Sequence, residues 1–268
     1  MRRLLAAALA VCLTAALAAA ASARPSAPPT KQPGTLIVGF DLPAGDFIKG
    51  TAAGSTIRNP RGFEVDLVNA IAKKIGIQKV QWLRATFTGL FRPGPKPFDV
   101  AFEQITITQQ RKKVVDFSAP YFDANQGILI AKGVPAPKSL ADLAKLQTCS
   151  QATTTGLDYL QTKLRPAKKP LSYQQLSAAF LAVSTGQCQA LMMDVPIVAG
   201  EVKQHPTKYG GLVGQVFTKE QYGALFEKDN PLRPFVSRAI NELRKDGTIG
   251  RLQKKWFNID FSTITTLE

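Results

Sequence analysis

"FDVAFEQITITQQR" (98–111), followed at once by "VDFSAPYF" (115–122), is the stretch on which the fold turns. Residues 98–105 read as a strand that stops at Thr106, and 108–114 can open a short helix. Backbone N–H groups then come to lie beside the Thr106 hydroxyl, with Arg111 about one helical turn further on. In an open α/β lobe, ligands sit at the carboxyl ends of strands. A hydroxyl, a helix N-terminus and a guanidinium all donate, and the guanidinium fork matches both oxygens of a carboxylate. On spacing alone the same residues also read as a helix cap and a surface arginine, with an aromatic-rich turn behind them. Both readings stand at this point.

Working outward, "TLIVGF" (35–40) is an apolar, β-branched run that predicts a buried strand. "GFEVDLVNAIAKKIG" (62–76) puts Leu67, Val68, Ile71 and Ile75 on one helical face and ends on a glycine. "KVQWL" (79–83) and "QGILIA" (126–131) predict further strands. Strand, helix, strand in this order implies right-handed βαβ units over a mostly parallel sheet.

After the turn-rich "GVPAPK" (133–138) the pattern restarts. "SLADL" (139–143) opens like a capping box, a strand is expected near 148–151, and "TTTG" (153–156) makes a second donor-rich strand-to-helix turn. An amphipathic helix over 173–186, the strand "QALMMD" (189–194) and two C-terminal helices around Gly247 complete the series. Asp194 and Asp41 each close a strand. Asp194 reads either as a helix N-cap or as a partner for an ammonium group across a cleft.

The chain begins with Arg2 and Arg3, an Ala/Leu run, and small residues at Ala21 and Ala23. That predicts a secretory signal peptide over 1–23, followed by a proline-rich linker over 24–34. Lysine and arginine number 34 against 19 acids, a net charge of +15, but the excess is scattered and carries no aromatic-interleaved basic motif. A solvated basic surface fits better than nucleic-acid binding. Cys149 and Cys188 remain after the signal, in neither a C-x-x-C nor a Cys/His cluster, so a zinc site is not expected. The single histidine, His205, and the absence of G-x-S-x-G argue against serine-hydrolase chemistry. No cofactor motif is evident.

Taken together, "LIVGFD", "GFEVDLVNAIAKKIG", "FDVAFEQITITQQR" with "VDFSAPYF", "TTTG", "GQCQALMMDVP" and "DGTIGRLQKKWF" resemble, in order, the bacterial extracellular solute-binding proteins of family 3. These are the polar amino-acid binding proteins of ABC importers, and the resemblance runs from about Thr35 to Phe257. It implies a periplasmic-binding-protein-like α/β fold with a ligand cleft between two lobes joined by a two-strand hinge. The expected division is 35–130 and 223–268 for the first lobe and 131–222 for the second, with crossovers near Gly127–Lys132 and Gln221–Phe226. It implies capture of a free amino acid, closure of the lobes, and docking on a membrane permease by a secreted monomer in the periplasm or outside the cell. By motif position, Arg111 would bind the ligand α-carboxylate, assisted by Thr106 and the backbone around Thr154–Thr155. Asp194 would bind the α-ammonium with the Gln104 carbonyl, Phe87 would pack on the ligand side chain, and Asp41 would face its far end.

The chain departs from the family pattern in places. "DLPAGDF" (41–47) has Ala44 and Asp46 where an aromatic and a proline are common, keeping only Phe47. Three prolines in "FRPGPKPFD" (91–99) require the helix there to stop early. Glu103 and Gln104 replace small residues, and Thr153 stands where a glycine is usual. If Glu103 points inward, it and Asp41 favour a basic or amide side chain. The resemblance also makes the Cys149 and Cys188 strands neighbours, which predicts a disulfide. Some proteins resembling this family are cyclohexadienyl or arogenate dehydratases, and Glu103 is the acid such an alternative would use.

Overall fold

In a computed structural model, which describes residues 27–42 and 44–268, the first lobe is built early in the chain. The expected signal segment lies outside the described residues. The lobe comprises β1 (Thr35–Phe40), a hairpin of β2 (Lys49–Ala53) and β3 (Thr56–Arg61), α1 (Phe63–Lys74), β4 (Lys79–Arg84), α2 (Phe87–Leu90) and β5 (Val100–Ala101). Strand β6 (Asp116–Ile130) then leads into the second lobe. There follow α3 (Leu140–Leu143), β7 (Thr148–Gln151), α4 (Thr155–Tyr159), β8 (Leu171–Tyr173), α5 (Leu176–Ser184), β9 (Ala190–Asp194) and α6 (Val195–Gln204). Strand β10 (Gly211–Phe226) returns, and α7 (Arg233–Lys245) and α8 (Thr248–Trp256) pack on α1.

One ten-stranded sheet runs through both lobes in the order β2-β3-β4-β1-β5-β10-β6-β9-β7-β8. Parallel pairs form the heart of each wing, β1 with β4 and β5 on one side and β7 with β8 and β9 on the other, and the β2–β3 hairpin adds antiparallel to β4 at one edge. The antiparallel pair β6–β10 joins them. This is the two-lobed α/β fold that the motifs predicted. The hinge strands are longer than the sequence suggested. "VDFSAPYF" lies in strand and not in a turn, and β6 continues without a break through the expected strand at 126–131. Pro120, which has no N–H to give the ladder, is accommodated where the register slips beside Gly223.

A larger slip falls between Val216 and Glu220, where β10 bulges opposite Asn125. The Asn125 side-chain oxygen accepts from the Thr218 and Lys219 N–H groups, both at 3.1 Å, and so satisfies amides the ladder cannot reach. The expected strand at 98–105 shrinks to Val100–Ala101 because Gln104 takes a left-handed φ of 48° and turns the chain. Helix α2 stops at Leu90, ahead of the three prolines as expected.

The first-lobe core centres on Phe47, the aromatic retained from the family pattern. Its ring meets Phe63, Phe122, Tyr222 and Phe257 at centroid distances of 4.8–6.0 Å, tying the first loop to α1, both hinge strands and the end of α8. Gly62 starts α1 at φ 144°, where a Cβ would lie 2.2 Å from the Phe47 carbonyl oxygen. The loop instead feeds that helix end directly, through Phe63 N–H to Asp46 O at 2.9 Å and Glu64 N–H to Phe47 O at 3.1 Å. Only glycine permits that approach.

Of the expected C-terminal piece, α7 and α8 stay with the first lobe, whereas the last residues cross the hinge. Gln215 on β10 accepts from Leu267 N–H and donates to Thr265 O, both at 2.8 Å, and Leu140 N–H donates to Glu268 O at 3.0 Å. Leu267 is buried among Ile128, Ile130, Leu143 and Val216 of the second lobe.

Cys149 and Cys188 form the expected disulfide, with Cα atoms 5.9 Å apart and a sequence separation of 39. Closing a loop of that length restricts the unfolded chain by about 4 kcal/mol in the chain-entropy treatment. The double Cys→Ala variant should therefore unfold at lower urea concentration than the wild type. Adding reductant should shift the wild type toward the variant and leave the variant unmoved.

Candidate functional site

The ends of β1, β5, β7 and β9 converge on a cleft between the lobes. Asp41, Phe87, Gln104, Thr106, Arg111, Thr154, Thr155 and Asp194, the eight residues singled out in the sequence, all line it, and Glu103 does too. Ala44 lines the wall where an aromatic is common in the family, while Phe47 turns away into the core.

Arg111 opens a single 3₁₀ turn, Arg111–Lys113, shorter than the expected helix. Thr108 caps that turn by accepting from Arg111 N–H at 3.1 Å. The Arg111 guanidinium is buried and donates to Thr106 O at 2.7 Å and, across the cleft, to Thr153 O at 2.9 Å. It lies 4.5 Å from the centre of the Phe91 ring and 5.5 Å from that of Phe87. Two carbonyls and an aromatic face fix its plane, yet it makes no ion pair among the described residues. Burial pulls its pKa down to about 10, while Asp194 and Glu220 hold it up. Three of its five N–H groups remain for a ligand, and a buried, uncompensated cation is costly unless an anion joins it.

Asp194 occupies the position before α6, but its side chain does not cap the helix. Oδ1 accepts from Gln126 Nε2 and Oδ2 from the Tyr222 hydroxyl, each at 2.5 Å. Burial and the neighbouring Glu220 raise its pKa to about 7. It too makes no ion pair among the described residues. The cleft thus holds a buried guanidinium and a buried carboxyl that do not pair with each other.

A second acidic group lies at the ends of β1 and β5. Glu103 points inward, and its Oε2 accepts from Asp41 N–H at 2.5 Å. The Asp41 side chain accepts from Leu42 N–H at 2.9 Å and from Phe87 N–H, at the start of α2, at 3.3 Å. Burial, then Asp41 and Glu64, push the Glu103 carboxyl well above the usual carboxylate range. Behind it Glu64 accepts from Gln104 N–H at 2.9 Å, from Gln104 Nε2 at 2.5 Å and from the Tyr121 hydroxyl. These bonds hold Gln104 in its left-handed conformation despite its side chain.

The "TTTG" turn supplies donors in a different manner from the one expected. Thr154 caps α4, its Oγ1 accepting from Leu157 N–H at 3.1 Å and donating to Gln151 O at 2.7 Å. The Thr155 and Thr106 hydroxyls donate to Glu220 Oε2, at 2.6 and 2.7 Å. Thr153, at φ 63°, turns its carbonyl toward Arg111. The sequence reading missed Glu220, Gln126, Tyr222 and Phe91. Glu220, Gln126 and Tyr222 carry no local motif, and only the pairing of the hinge strands brings them beside Asp194 and Thr106, while Phe91 follows α2 and meets Arg111.

The chain is similar to known solute-binding proteins. Residues 46–259 match the family model described as "Bacterial extracellular solute-binding proteins, family 3". The ABC transporter glutamine-binding protein GlnH of Bacillus subtilis (strain 168) is 30% identical over 214 residues, covering 76% of this chain and 77% of its own. An ancestral arginine-binding protein bound to glutamine superimposes with a TM-score of 0.73 at 33% identity, over 85% of this chain and 100% of its own. The ancestral amino acid-binding protein AncCDT-1, a precursor of cyclohexadienyl dehydratase, superimposes with a TM-score of 0.72 at 32% identity, over 84% and 96% of the two chains.

Proposed function

The chain belongs to the bacterial extracellular solute-binding proteins, family 3, and on that premise we propose that it captures a free amino acid with a cationic side chain for an ABC importer. One observation carries the reading: buried Arg111 and buried Asp194 line the same cleft without pairing to each other. A zwitterion answers both, its α-carboxylate taking the free N–H groups of Arg111 and its α-ammonium the Asp194 carboxyl. The Gln104 carbonyl assists at the ammonium, the first-turn amides of α4 assist at the carboxylate, and the Phe87 ring packs on the ligand's aliphatic stem.

Side-chain selection follows from charge. Among the described residues, Asp41, Glu103 and Asp194 face the cleft against a single arginine, so a ligand bearing a second positive group is favoured over a neutral or acidic one. A cation beside Glu103 lowers the cost of ionising it. Export to the periplasm or the outside of the cell and docking of the closed form on a permease are the parts of this role that rest on family membership.

Thermal unfolding of the mature protein against the twenty amino acids, ornithine and citrulline tests the proposal. A ligand at about 100 times its dissociation constant adds roughly 2.7 kcal/mol. Arginine, lysine or ornithine should raise the unfolding temperature and glutamate should not. A shift with glutamate alone would sink the charge argument, and no shift with any amino acid would sink the binding reading.

Glu103 also supports a second reading, because a carboxyl that burial pushes well above the usual carboxylate range and that faces a cleft has the character of a general acid. Incubation with prephenate or arogenate separates the two: turnover that is lost in Glu103→Gln would establish the dehydratase reading, and no turnover removes it.

A further inference from the structure

Between the two strands that join the lobes lies a polar knot that the ligand-binding scheme does not use. Glu220, at the β10 bulge, accepts both threonine hydroxyls on one oxygen, Thr106 at 2.7 Å and Thr155 at 2.6 Å. Its other oxygen accepts from Gln126 Nε2 at 3.0 Å. Thr106 comes from the first lobe, Thr155 from the second, and Gln126 from the opposite hinge strand.

Hydroxyl chemistry limits what these groups can do. Each threonine hydroxyl has one proton, and both protons are directed at Glu220. Neither is left for a ligand carboxylate in this arrangement, which removes Thr106 from the direct role its motif position implied. Gln126 shares its amide protons between Glu220 and Asp194 Oδ1, the latter at 2.5 Å. Its Oε1 is buried without a donor, and a Cβ on Gly156 would come within 2.6 Å of it. Turning the amide over would aim that oxygen at two carboxylates, so the orientation is fixed by charge.

We propose that Glu220 is a positioning residue that latches the closed cleft. One carboxylate oxygen holds a hydroxyl from each lobe against the hinge, and Gln126 links that latch to Asp194. Separating the lobes carries Thr155 away from Thr106, so at least one of the two bonds must break on opening. Hydrogen bonds to an ionised acceptor are about twice as strong as neutral ones. Their loss therefore falls on the open–closed balance, and on ligand release, since a ligand leaves through the open form.

The test uses the mature chain as wild type, Glu220→Gln, Thr155→Val and the double variant. L-arginine is the kinetic probe, and small-angle scattering of the ligand-free proteins is the second readout. We expect each single variant to speed arginine release about tenfold, with association unchanged within about a factor of two. The double variant should release no faster than either single one. Ligand-free Glu220→Gln should have a larger radius of gyration than the wild type. Additive effects in the double variant would mean that the hydroxyls act separately on the ligand, and would overturn the latch. Unchanged scattering would overturn it equally. Should Glu220→Gln not fold, Thr155→Val carries the test alone, because it removes the Thr155 hydroxyl's bonds to Glu220 and Gln126 without substituting a hinge-strand residue. Only the kinetic arm rests on the amino-acid reading. If arginine does not bind at all, that reading has failed, and scattering still decides the latch.

Discussion

Replacing Arg111 by methionine is expected to weaken amino-acid binding by a hundredfold or more, on the order of the 2–5 kcal/mol lost when one partner of a buried charge pair is removed. Among the described residues the guanidinium is the only cation lining the cleft, so no neighbour there can take over the carboxylate. The effect on the ligand-free fold should be much smaller, and this separates a binding role from a structural one. The variant loses the bonds to Thr106 O and Thr153 O, but it also loses the cost of keeping an unpaired charge out of water. Methionine keeps an unbranched apolar side chain in place of the arginine stem, while the guanidinium's contact with the Phe87 and Phe91 rings is lost. Calorimetric titration with arginine, alongside urea unfolding without ligand, checks both halves. Affinity that survives in Arg111→Met would refute the carboxylate assignment.

Arginine should bind about tenfold more tightly at pH 8 than at pH 6 through Asp194. The reason lies in where this carboxyl titrates, at about 7 in the fold against an ordinary 3.8. In the ligand-free protein a raised carboxyl contributes stability that is fully present below the unfolded value and is lost as pH rises through 7. Glu64, raised from 4.5 to about 7 by burial, acts in the same direction. The ligand-free protein should therefore lose stability between about pH 4 and pH 7 and change little through these groups above that. Ligand binding runs the other way, because an ammonium favours the ionised form of Asp194. Below pH 7 binding must expel a proton, and calorimetry in buffers of different ionisation enthalpy counts it. Asp194→Asn should bind about a hundredfold more weakly at pH 8 and lose this pH dependence. If Asp194→Asn kept the wild-type pH profile, another group would be the one that titrates.

How far the residues alone led can be judged at particular places. The strand–helix periodicities, the early stop of the helix before the prolines, and the two lobes were readable because each is written locally. The cysteine pair and the eight cleft residues came from ordered motifs, and the structure brings all eight to one cleft. What escaped was set by pairing between distant strands. "VDFSAPYF" looked like a turn because its proline and aromatics obscure a strand that only β10 completes. Glu220 had no signal of its own, since its importance depends on three partners at remote positions in the chain. The hairpin β2–β3 was passed over because "KGTAA" and "TIRNPR" are mostly exposed and lack an alternating apolar face.

The run after α8 has a practical side. Lys254 and Lys255 belong to a helix packed on the first lobe, while Leu267 and Glu268 are seated on the second. A donor dye on the one and an acceptor on the other would sit close in the chain yet ride on opposite halves of the molecule. Such a pair would work as a built-in gauge of cleft opening, without grafting a reporter into either lobe. An affinity tag fused after Glu268 would, for the same reason, tether the protein to a surface by its second lobe and leave the first free to swing.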